Sequence, residues 1–70
     1  MTKKWNKYTE NWEDENGRPY TYRVTYPTNE GRRSVDFTDL DHAYERYQSL
    51  SRAYGKLANF FHVSPDGKEE

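Results

Sequence analysis

Residues 39–54, DLDHAYERYQSLSRAY, carry the clearest periodic pattern in the chain. Their apolar and aromatic side chains recur every three or four residues and fall within an arc of about 120° on a helical wheel, the width of the stripe that a core-facing helix buries. That stripe consists of Leu40, Ala43, Tyr44, Tyr47, Leu50 and Tyr54. The stretch therefore predicts one amphipathic helix whose apolar side lies on the core.

Both ends of the predicted helix carry termination signals. Thr38 is predicted to be the N-cap, with Asp41 three residues later in the position of a capping-box partner. Gly55 follows the last turn, where a residue with left-handed backbone ends many helices.

The outer face of this helix pairs like or nearly like charges at four-residue spacing, which weakens an isolated helix. The pairs are Asp41/Glu45, His42/Arg46 and Arg52/Lys56. The helix dipole, which favours acidic residues in the first turn and basic residues in the last, is one explanation. The other is that Glu45, Arg46 and Arg52 contact a partner.

Two alternating segments before the helix predict an antiparallel hairpin. Residues 20–26 and 33–38 alternate as half-buried strands do, and a turn at 27–32 joins them. A register that pairs Tyr26 with Arg33 makes every cross-strand pair compatible on both faces. Its pairs are Val24/Val35 and Tyr22/Phe37 on one face and Arg23/Asp36 and Thr25/Ser34 on the other.

The N-terminal arm is predicted to contribute a strand at residues 8–13. Asn16-Gly17 predicts a two-residue type I′ turn after it, because both residue types tolerate the positive φ that this turn requires. Such a turn pairs Glu15 with Arg18, and it places Trp12 and Tyr8 on the sheet face away from the helix.

Three alternatives remain for these two aromatic side chains. A bulge returns them to the core, the N-terminal arm folds over them, or they form an exposed aromatic patch. A patch of Tyr8 and Trp12 beside Arg23 is typical of interaction surfaces.

Residues 57–63 are apolar and aromatic and predict a closing strand, parallel to the strand before the helix if it joins the sheet beside it. The expected fold is therefore an α+β domain, a small antiparallel β-sheet with one α-helix packed on one face, in β-β-β-α-β or β-β-α-β order. We expect a single domain over residues 1–70, with flexible ends at 1–7 and 66–70. The predicted core is Tyr20, Tyr22, Val24, Val35, Phe37, Leu40, Tyr44, Tyr47, Leu50, Tyr54, Leu57 and Phe61.

Composition narrows the classes of function. The chain has no cysteine, which excludes zinc–thiolate sites and favours the cytoplasm. Its net charge of −1 disfavours binding driven by phosphate contacts. No segment is apolar enough to predict a membrane span.

The residues that could support chemistry are few. A cluster of Asp36, Asp39, Asp41 and His42 could hold a metal, but strand pairing and helix capping explain each member separately. The serines lack a nucleophile-elbow context and the glycines form no phosphate loop. We therefore expect no catalytic residue, no metal and no cofactor.

Two binding functions remain. The first is a protein-interaction module that contacts a host protein or ribonucleoprotein complex, because 7 Tyr and 2 Trp are many for one small core and such residues dominate interface hot spots. The second is nucleic-acid binding through the tyrosines and Arg18, Arg23, Arg32 and Arg33. The candidate contact surfaces are the sheet face with Tyr8, Trp12 and Arg23, the hairpin tip with Asn29, Glu30, Arg32 and Arg33, and the helix face with Glu45, Arg46 and Arg52.

A family resemblance favours the first function. YTYRVTY (residues 20–26), the turn after it, SVDFTDLDHAYERY (residues 34–47) and the closing aromatic strand together resemble the plan of small phage-encoded proteins. These include inhibitors of host RNA polymerase and some anti-CRISPR proteins, which are short, hydrophilic and poor in cysteine. The resemblance implies a non-catalytic inhibitor that blocks a host complex such as a CRISPR effector or a polymerase, in the cytoplasm of the host. We expect the protein to be a monomer or a homodimer. It assigns no functional residues.

Overall fold

The computed structural model describes residues 3–70, and within them the chain forms five strands and one α-helix. A two-stranded hairpin pairs β1 with β2, and a separate three-stranded sheet has the order β4-β3-β5. The elements are β1 (Lys4–Asn6), β2 (Asn11–Glu13), β3 (Thr21–Thr28), β4 (Gly31–Phe37), α1 (Leu40–Tyr54) and β5 (Asn59–Val63). The predicted α+β class, an antiparallel sheet with one helix on it, is confirmed, and the N-terminal arm supplies two short strands.

The predicted register of β3 and β4 is confirmed. Tyr26 pairs with Arg33, and the ladder continues in step from Thr28↔Gly31 to Tyr22↔Phe37. Both strands run closer to the turn than predicted, because Pro27 lies within β3 opposite Arg32. The alternation of side chains fixed this register, since a slip of one residue would turn every apolar side chain to the wrong face.

The last strand occupies a different position in the sheet from the one predicted. β5 joins β3 rather than β4, with Thr21↔Val63 and Thr25↔Asn59 as the outermost antiparallel pairs. It begins at Asn59 because a short 3₁₀ turn, Gly55–Leu57, follows the helix. A helix is about 10 Å across, roughly two strand spacings, so the chain that leaves β4 through α1 returns two strands away, with β3 between.

The core lies mainly between β3 and α1. The most buried hydrophobic side chains are Tyr20, Tyr22, Val24, Ala43, Ala58 and Val63. Trp12, Phe37, Leu40 and Phe60 pack against the cluster of Tyr20, Tyr22 and Ala43. The small side chain of Ala43 allows the helix backbone to approach the sheet closely.

Four predicted core residues lie elsewhere. Tyr44, Tyr54 and Leu57 are exposed, at 52%, 39% and 57% of their surface. Phe61 pairs with Arg23 and so lies on the sheet face away from the helix, while Phe60, opposite Val24, takes the inward position. The remaining predicted members are Val35, Phe37, Leu40, Tyr47 and Leu50, which are half-buried. A three-stranded sheet is too narrow to cover the whole apolar stripe of α1.

The helix begins one residue later than predicted. Asp39 is the N-cap, and its side chain accepts a hydrogen bond from the Asp41 backbone N–H, so the predicted capping role of Thr38 is wrong. Gly55 ends the helix with φ of 62°, as predicted. The carboxylate of Asp39 gains from the helix dipole as well as from the hydrogen bond, which a threonine hydroxyl would not.

The turn after β2 is one residue longer than predicted. Asp14 N–H donates to the Arg18 carbonyl and Gly17 N–H donates to the Asp14 carbonyl, which closes a three-residue loop. Gly17 alone in this loop has positive φ, 81°, as in a type I turn followed by a glycine bulge. The prediction of a two-residue type I′ turn at Asn16-Gly17 is therefore wrong. The alternative in which a bulge returns Trp12 to the core is confirmed.

This extra loop residue decides where Trp12 points. Tyr20 N–H donates to the Trp12 carbonyl, so Trp12 lies opposite Tyr20 rather than opposite Thr21. The shift by one residue turns the indole to the face that carries the core. The predicted strand at 8–13 is correspondingly reduced to Asn11–Glu13, and Tyr8 lies in the turn before it.

The C-terminal residues fold back beside β5. A turn at residues 64–67 brings Glu69 back beside Val63, and Glu70 exchanges two backbone hydrogen bonds with His62. The expected flexibility of residues 1–7 and 66–70 stays a prediction, and Met1 and Thr2 lie outside the described residues. From residue 3 to residue 70, no helix has the length and apolar character needed to cross a membrane.

Candidate interaction surface

The predicted contact residues lie on separate surfaces. Arg23 lies on the sheet face away from the helix, where its guanidinium contacts Asp36 at 2.8 Å and Glu69 at 3.0 Å. These two carboxylates raise the pKa of the Arg23 guanidinium, and Arg23 in turn lowers the pKa of Asp36. Arg23 is thus engaged within the protein and is less available to a partner than the sequence suggested.

The β3–β4 hairpin tip holds its arginines in a similar way. Arg32 donates from Nη2 to Thr25 Oγ1 at 3.1 Å and to the Leu57 carbonyl at 2.7 Å. Arg33 lies 3.7 Å from the Glu30 carboxylate, and both side chains are largely exposed. An exposed pair of this kind contributes little to stability, so Arg33 remains free to exchange partners.

The outer face of the helix borders a shallow groove. Glu45 and Arg46 line an open cavity of about 320 Å³ together with Phe37, His42 and Ser49. Arg52, in the last turn of the helix, is exposed and lies outside this lining. The structure thus brings Glu45 and Arg46 together and leaves Arg52 apart.

The N-terminal hairpin presents the most exposed aromatic side chain, Tyr8, beside the partly exposed Trp5. Tyr8 is 88% exposed and Trp5 is 46% exposed. Both line an open cavity of about 410 Å³, together with Lys4, Lys7 and other side chains of the hairpin. The Lys7 ammonium lies 5.5 Å from the centre of the Tyr8 ring, within the range of a cation–π contact. We name Trp5, Tyr8, Lys4 and Lys7 the aromatic tip.

The aromatic tip is anchored on the core through the second tryptophan. The Trp5 and Trp12 rings meet edge to face with centroids 5.2 Å apart. The backbone N–H of Trp12 donates to the Tyr22 hydroxyl at 3.1 Å, and Tyr22 is fully buried. Asn11 accepts from the same hydroxyl and donates to the Thr38 carbonyl at 3.0 Å. The exposed aromatic side chains therefore project from a fixed base.

The turn that carries Tyr8 has its own local order. The Asn6 side-chain oxygen accepts from the backbone N–H of Tyr8 and of Thr9, which forms an Asx turn. Glu10 closes the turn with φ of 54°, in the left-handed region that glycine or asparagine usually occupies. This turn fixes where the Tyr8 backbone lies, and it leaves the ring in solvent.

A second cluster joins the two ends of the chain. The Lys3 ammonium donates to His62 Nδ1 at 3.0 Å and lies 5.2 Å from the Trp12 ring centre and 5.6 Å from that of Tyr20. It also lies 3.9 Å from a Glu70 carboxylate oxygen, and Glu70 accepts from the Tyr20 hydroxyl at 2.9 Å. These contacts fasten Lys3 and Glu70 over the same edge of the core.

This packing shifts two ionisation equilibria. Burial, assisted by the nearby Lys3 charge, lowers the pKa of His62 below 6.5, so its neutral form accepts the Lys3 hydrogen bond. Burial, together with the Glu70 carboxylate, raises the pKa of Tyr20 to about 12. Both side chains are neutral in the folded protein near pH 7, which suits a structural role.

The polar cluster near the helix start separates into small contacts. His42 Nδ1 lies 3.3 Å from the Asp39 carboxylate, while Asp36 pairs with Arg23. Across residues 3–70, no three acidic or histidine side chains converge closely enough to hold a metal ion.

Comparison of the chain with protein-family models, with curated proteins and with solved structures finds no match. The likeness to phage-encoded inhibitors therefore rests on the order of elements and the composition alone.

Trp5, Lys4 and Lys7 were not among the contact residues predicted from the sequence. Trp5 pairs with Trp12 across a four-residue turn, Lys7 to Glu10, in an antiparallel register. Two tryptophans seven residues apart, with Asn6 at the start of the turn between them, are the signal that could have revealed a hairpin here.

Proposed function

We propose that the protein is a non-catalytic protein-interaction module that binds a host macromolecular complex and blocks it, as the phage-encoded inhibitors that it resembles do. The contact is made by the aromatic tip. A CRISPR effector or a polymerase in the host cytoplasm is the class of target that the resemblance favours.

The observation that carries this proposal is the exposure of Trp5 and Tyr8 on a fixed hairpin. Tryptophan and tyrosine are the residues that contribute most to interface hot spots. A rigid support keeps the entropy cost of binding low for Trp5, because its ring is already positioned against Trp12 before the partner arrives. Contiguous exposed apolar side chains, rather than single ones, mark interaction sites, and Trp5 and Tyr8 lie together around one open cavity.

Lys4 and Lys7 add a chemical preference to the aromatic tip. They flank Trp5 and Tyr8, and the Lys7 ammonium lies over the Tyr8 ring. Glu13, which pairs with Lys4 across the hairpin, also lines this cavity and offsets one of the two positive charges. Lysines at the rim of an interface steer oppositely charged partners and speed association. An acidic surface with an apolar pocket is the partner that fits this arrangement.

The test is capture from host lysate with a protein that carries a C-terminal tag on a flexible linker, after nuclease treatment. We expect a stoichiometric protein complex that the double variant Trp5→Ala/Tyr8→Ala does not capture. The matched control is Arg46→Ala/Arg52→Ala, which removes two exposed side chains of the helix, outside the aromatic tip, and should capture normally. Equal melting temperatures of the three proteins establish that the loss is one of binding.

Loss of capture in the control variant, with capture retained by Trp5→Ala/Tyr8→Ala, would move the binding surface to the helix. A wild-type protein that captures no partner protein at all would contradict the interaction function.

A second function, nucleic-acid binding, is favoured by one observation, the basic and aromatic character of the same tip. Bases stack on exposed aromatic rings, and lysines beside them contact phosphates. This function predicts that nuclease removes the captured material and that raised salt weakens its capture steeply. Retention of the complex after nuclease and in raised salt excludes it.

A further inference from the structure

Strand β4 is an open edge of the three-stranded sheet. The strand order β4-β3-β5 leaves β4 with a neighbour on one side, among the residues from 3 to 70. Its seven residues pair with β3 without interruption from Gly31 to Phe37. No proline and no bulge interrupts this edge, and its protection is limited to the charged side chains Arg32, Arg33 and Asp36, which are of both signs.

The turn between β3 and β4 determines which backbone groups face outward. Asn29 and Glu30 form a two-residue loop closed by the Thr28↔Gly31 pair, and such closing residues are hydrogen-bonded to each other. Hydrogen-bonded and non-bonded pairs then alternate along the ladder. Pro27, which has no N–H, stands opposite Arg32, as a non-bonded pair allows.

It follows that three residues of β4 direct their backbone N–H and C=O groups away from β3. They are Arg32, Ser34 and Asp36. A second strand that approaches this edge would pair with these three residues.

We propose that β4 pairs antiparallel with β4 of a second copy of this chain, about a two-fold axis at Ser34, to form a six-stranded sheet across a homodimer. This register pairs Ser34 with Ser34 and Arg32 with Asp36 of the second copy. It aligns outward-facing residues with outward-facing residues, as an antiparallel ladder requires, and it overlaps all seven residues.

The side chains are complementary in this register. Arg32 meets Asp36 twice because of the symmetry, and cross-strand pairs of opposite charge are stabilising. To form this pair the Arg32 guanidinium exchanges its bonds to Thr25 and to the Leu57 carbonyl for the carboxylate of the second copy. Gly31 faces Phe37 and leaves room for the ring. Ser34 meets its own copy, and two hydroxyls can hydrogen-bond there.

Neighbouring registers are poorer. A shift that centres the pairing on Arg33 brings two arginines directly opposite each other, which is destabilising. A shift centred on Val35 pairs Ser34 with Asp36 and leaves Arg32 outside the ladder. The charge pattern RRSVD, residues 32–36, therefore selects the register at Ser34.

The space beside the edge accommodates a second copy. The groove of about 320 Å³ lies between β4 and α1, with Phe37 on one side and Glu45 on the other. Arg33 of the second copy would lie on this helix side of the sheet, where the Glu45 carboxylate is available. The Asp36 side chain is 55% exposed although it pairs with Arg23, so it has room for a second arginine.

The test is sedimentation velocity of the purified protein over a range of concentrations up to about 1 mM, the weak end of the affinity scale. We expect a monomer–dimer equilibrium. Ser34→Pro removes an outward N–H and keeps the bonds to β3, as edge prolines do, so it should weaken dimerisation at least about tenfold with the fold retained.

Two charge variants test the register directly. Arg32→Asp places aspartates opposite aspartates in its own dimer, and Asp36→Arg places arginines opposite arginines, so each alone should be monomeric. Mixed together, the two variants restore both pairs and should form a heterodimer with affinity close to that of the wild type. Arg52→Asp, an exposed charge reversal away from the edge, is the matched control and should dimerise normally.

Circular dichroism melts establish that each variant is folded. A wild-type protein that stays monomeric throughout the concentration range would overturn the proposal. So would a folded Ser34→Pro variant that dimerises as tightly as the wild type, or charge variants that fail to associate when mixed.

Discussion

The ring of Trp5 rests edge to face on the ring of Trp12, with the two centroids 5.2 Å apart. Trp12 belongs to the core, where it packs against Tyr20 and Tyr22, whereas Trp5 is 46% exposed. Trp12 therefore anchors the exposed ring of Trp5 to the folded core. Substitution of each ring separately distinguishes the two roles.

Trp12→Ala should lower the free energy of unfolding by about 2–3 kcal/mol, below the range for fully buried aromatic residues because Trp12 is half-buried. In a domain of this size that is a large part of the total. Urea denaturation measured by circular dichroism gives the value. Trp5→Ala should cost less than about 1 kcal/mol, because the loss is one edge-to-face contact. Equal losses in the two variants would show that the hairpin folds as one unit with no free surface.

Asp39→Ala should destabilise the protein by about 1 kcal/mol, because Asp39 accepts the Asp41 N–H at the start of α1. Thr38→Ala is the matched control and should change the stability by less than about 0.5 kcal/mol, as ordinary surface substitutions do. Thermal melts of both variants provide the comparison. A larger loss for Thr38→Ala would restore the capping role that the sequence indicated.

Gly17→Ala should cost about 1 kcal/mol, because a side chain at φ of 81° is strained. Asn16→Ala should be nearly neutral, since Asn16 has negative φ in the three-residue loop. A type I′ turn would require positive φ at both residues and would make both substitutions costly. The stability difference between the two variants, measured in urea, therefore reports the turn type.

Stability should fall as the pH drops from about 6.5 toward the lower folded-state pKa of His62. Burial and the Lys3 charge lower the pKa of His62 in the folded protein, so the unfolded chain binds the proton more readily in that window. The contribution is complete above the ordinary pKa and is lost as the pH falls through the folded value. Urea melts at a series of pH values measure the slope, which His62→Gln should remove. An unchanged slope in that variant would assign it to other groups.

Tyr20 should be the last tyrosine to ionise in an alkaline titration followed by tyrosinate absorbance. Its pKa is raised from 10.0 to about 12 by burial and by Glu70. The unfolded chain loses this proton near the ordinary value, so folding stability contributed by the protonated Tyr20 is lost as the pH rises from 10.0 to about 12. Tyr20→Phe should remove the late step and reduce the alkaline loss of stability. A late step that persists in that variant would belong to another tyrosine.

Much of the fold follows from periodicity alone. The three- and four-residue spacing of residues 39–54 predicted the helix, and the alternation of residues 20–26 and 33–38 predicted the register that pairs Tyr26 with Arg33, both of which the structure contains. Such patterns are informative because a helix or strand in the wrong phase would bury its polar side chains.

The candidate surface followed from the sequence only in part. Tyr8 was among the predicted contact residues and is highly exposed, but its neighbours Trp5, Lys4 and Lys7 were not. Trp12 was predicted as a possible surface residue, and the structure places it against the core. The reason is the loop at Asn16-Gly17, because the same dipeptide fits loops of two and of three residues, and one residue of difference reverses the face of every side chain before it.

The sequence by itself determined the elements that have strong periods, namely the α-helix and the β3–β4 hairpin, because local spacing dictates which side of each is apolar. Only the tertiary structure decided that β5 lies beside β3, that Phe60 rather than Phe61 faces the helix, and that Trp12 is core while Trp5 is surface. These outcomes depend on contacts between residues far apart in the chain and on the width of a helix over a narrow sheet. The local pattern does not contain that information. The same alternation of side chains fits a β5 beside β3 or beside β4, and it fits a Trp12 that faces the core or the solvent.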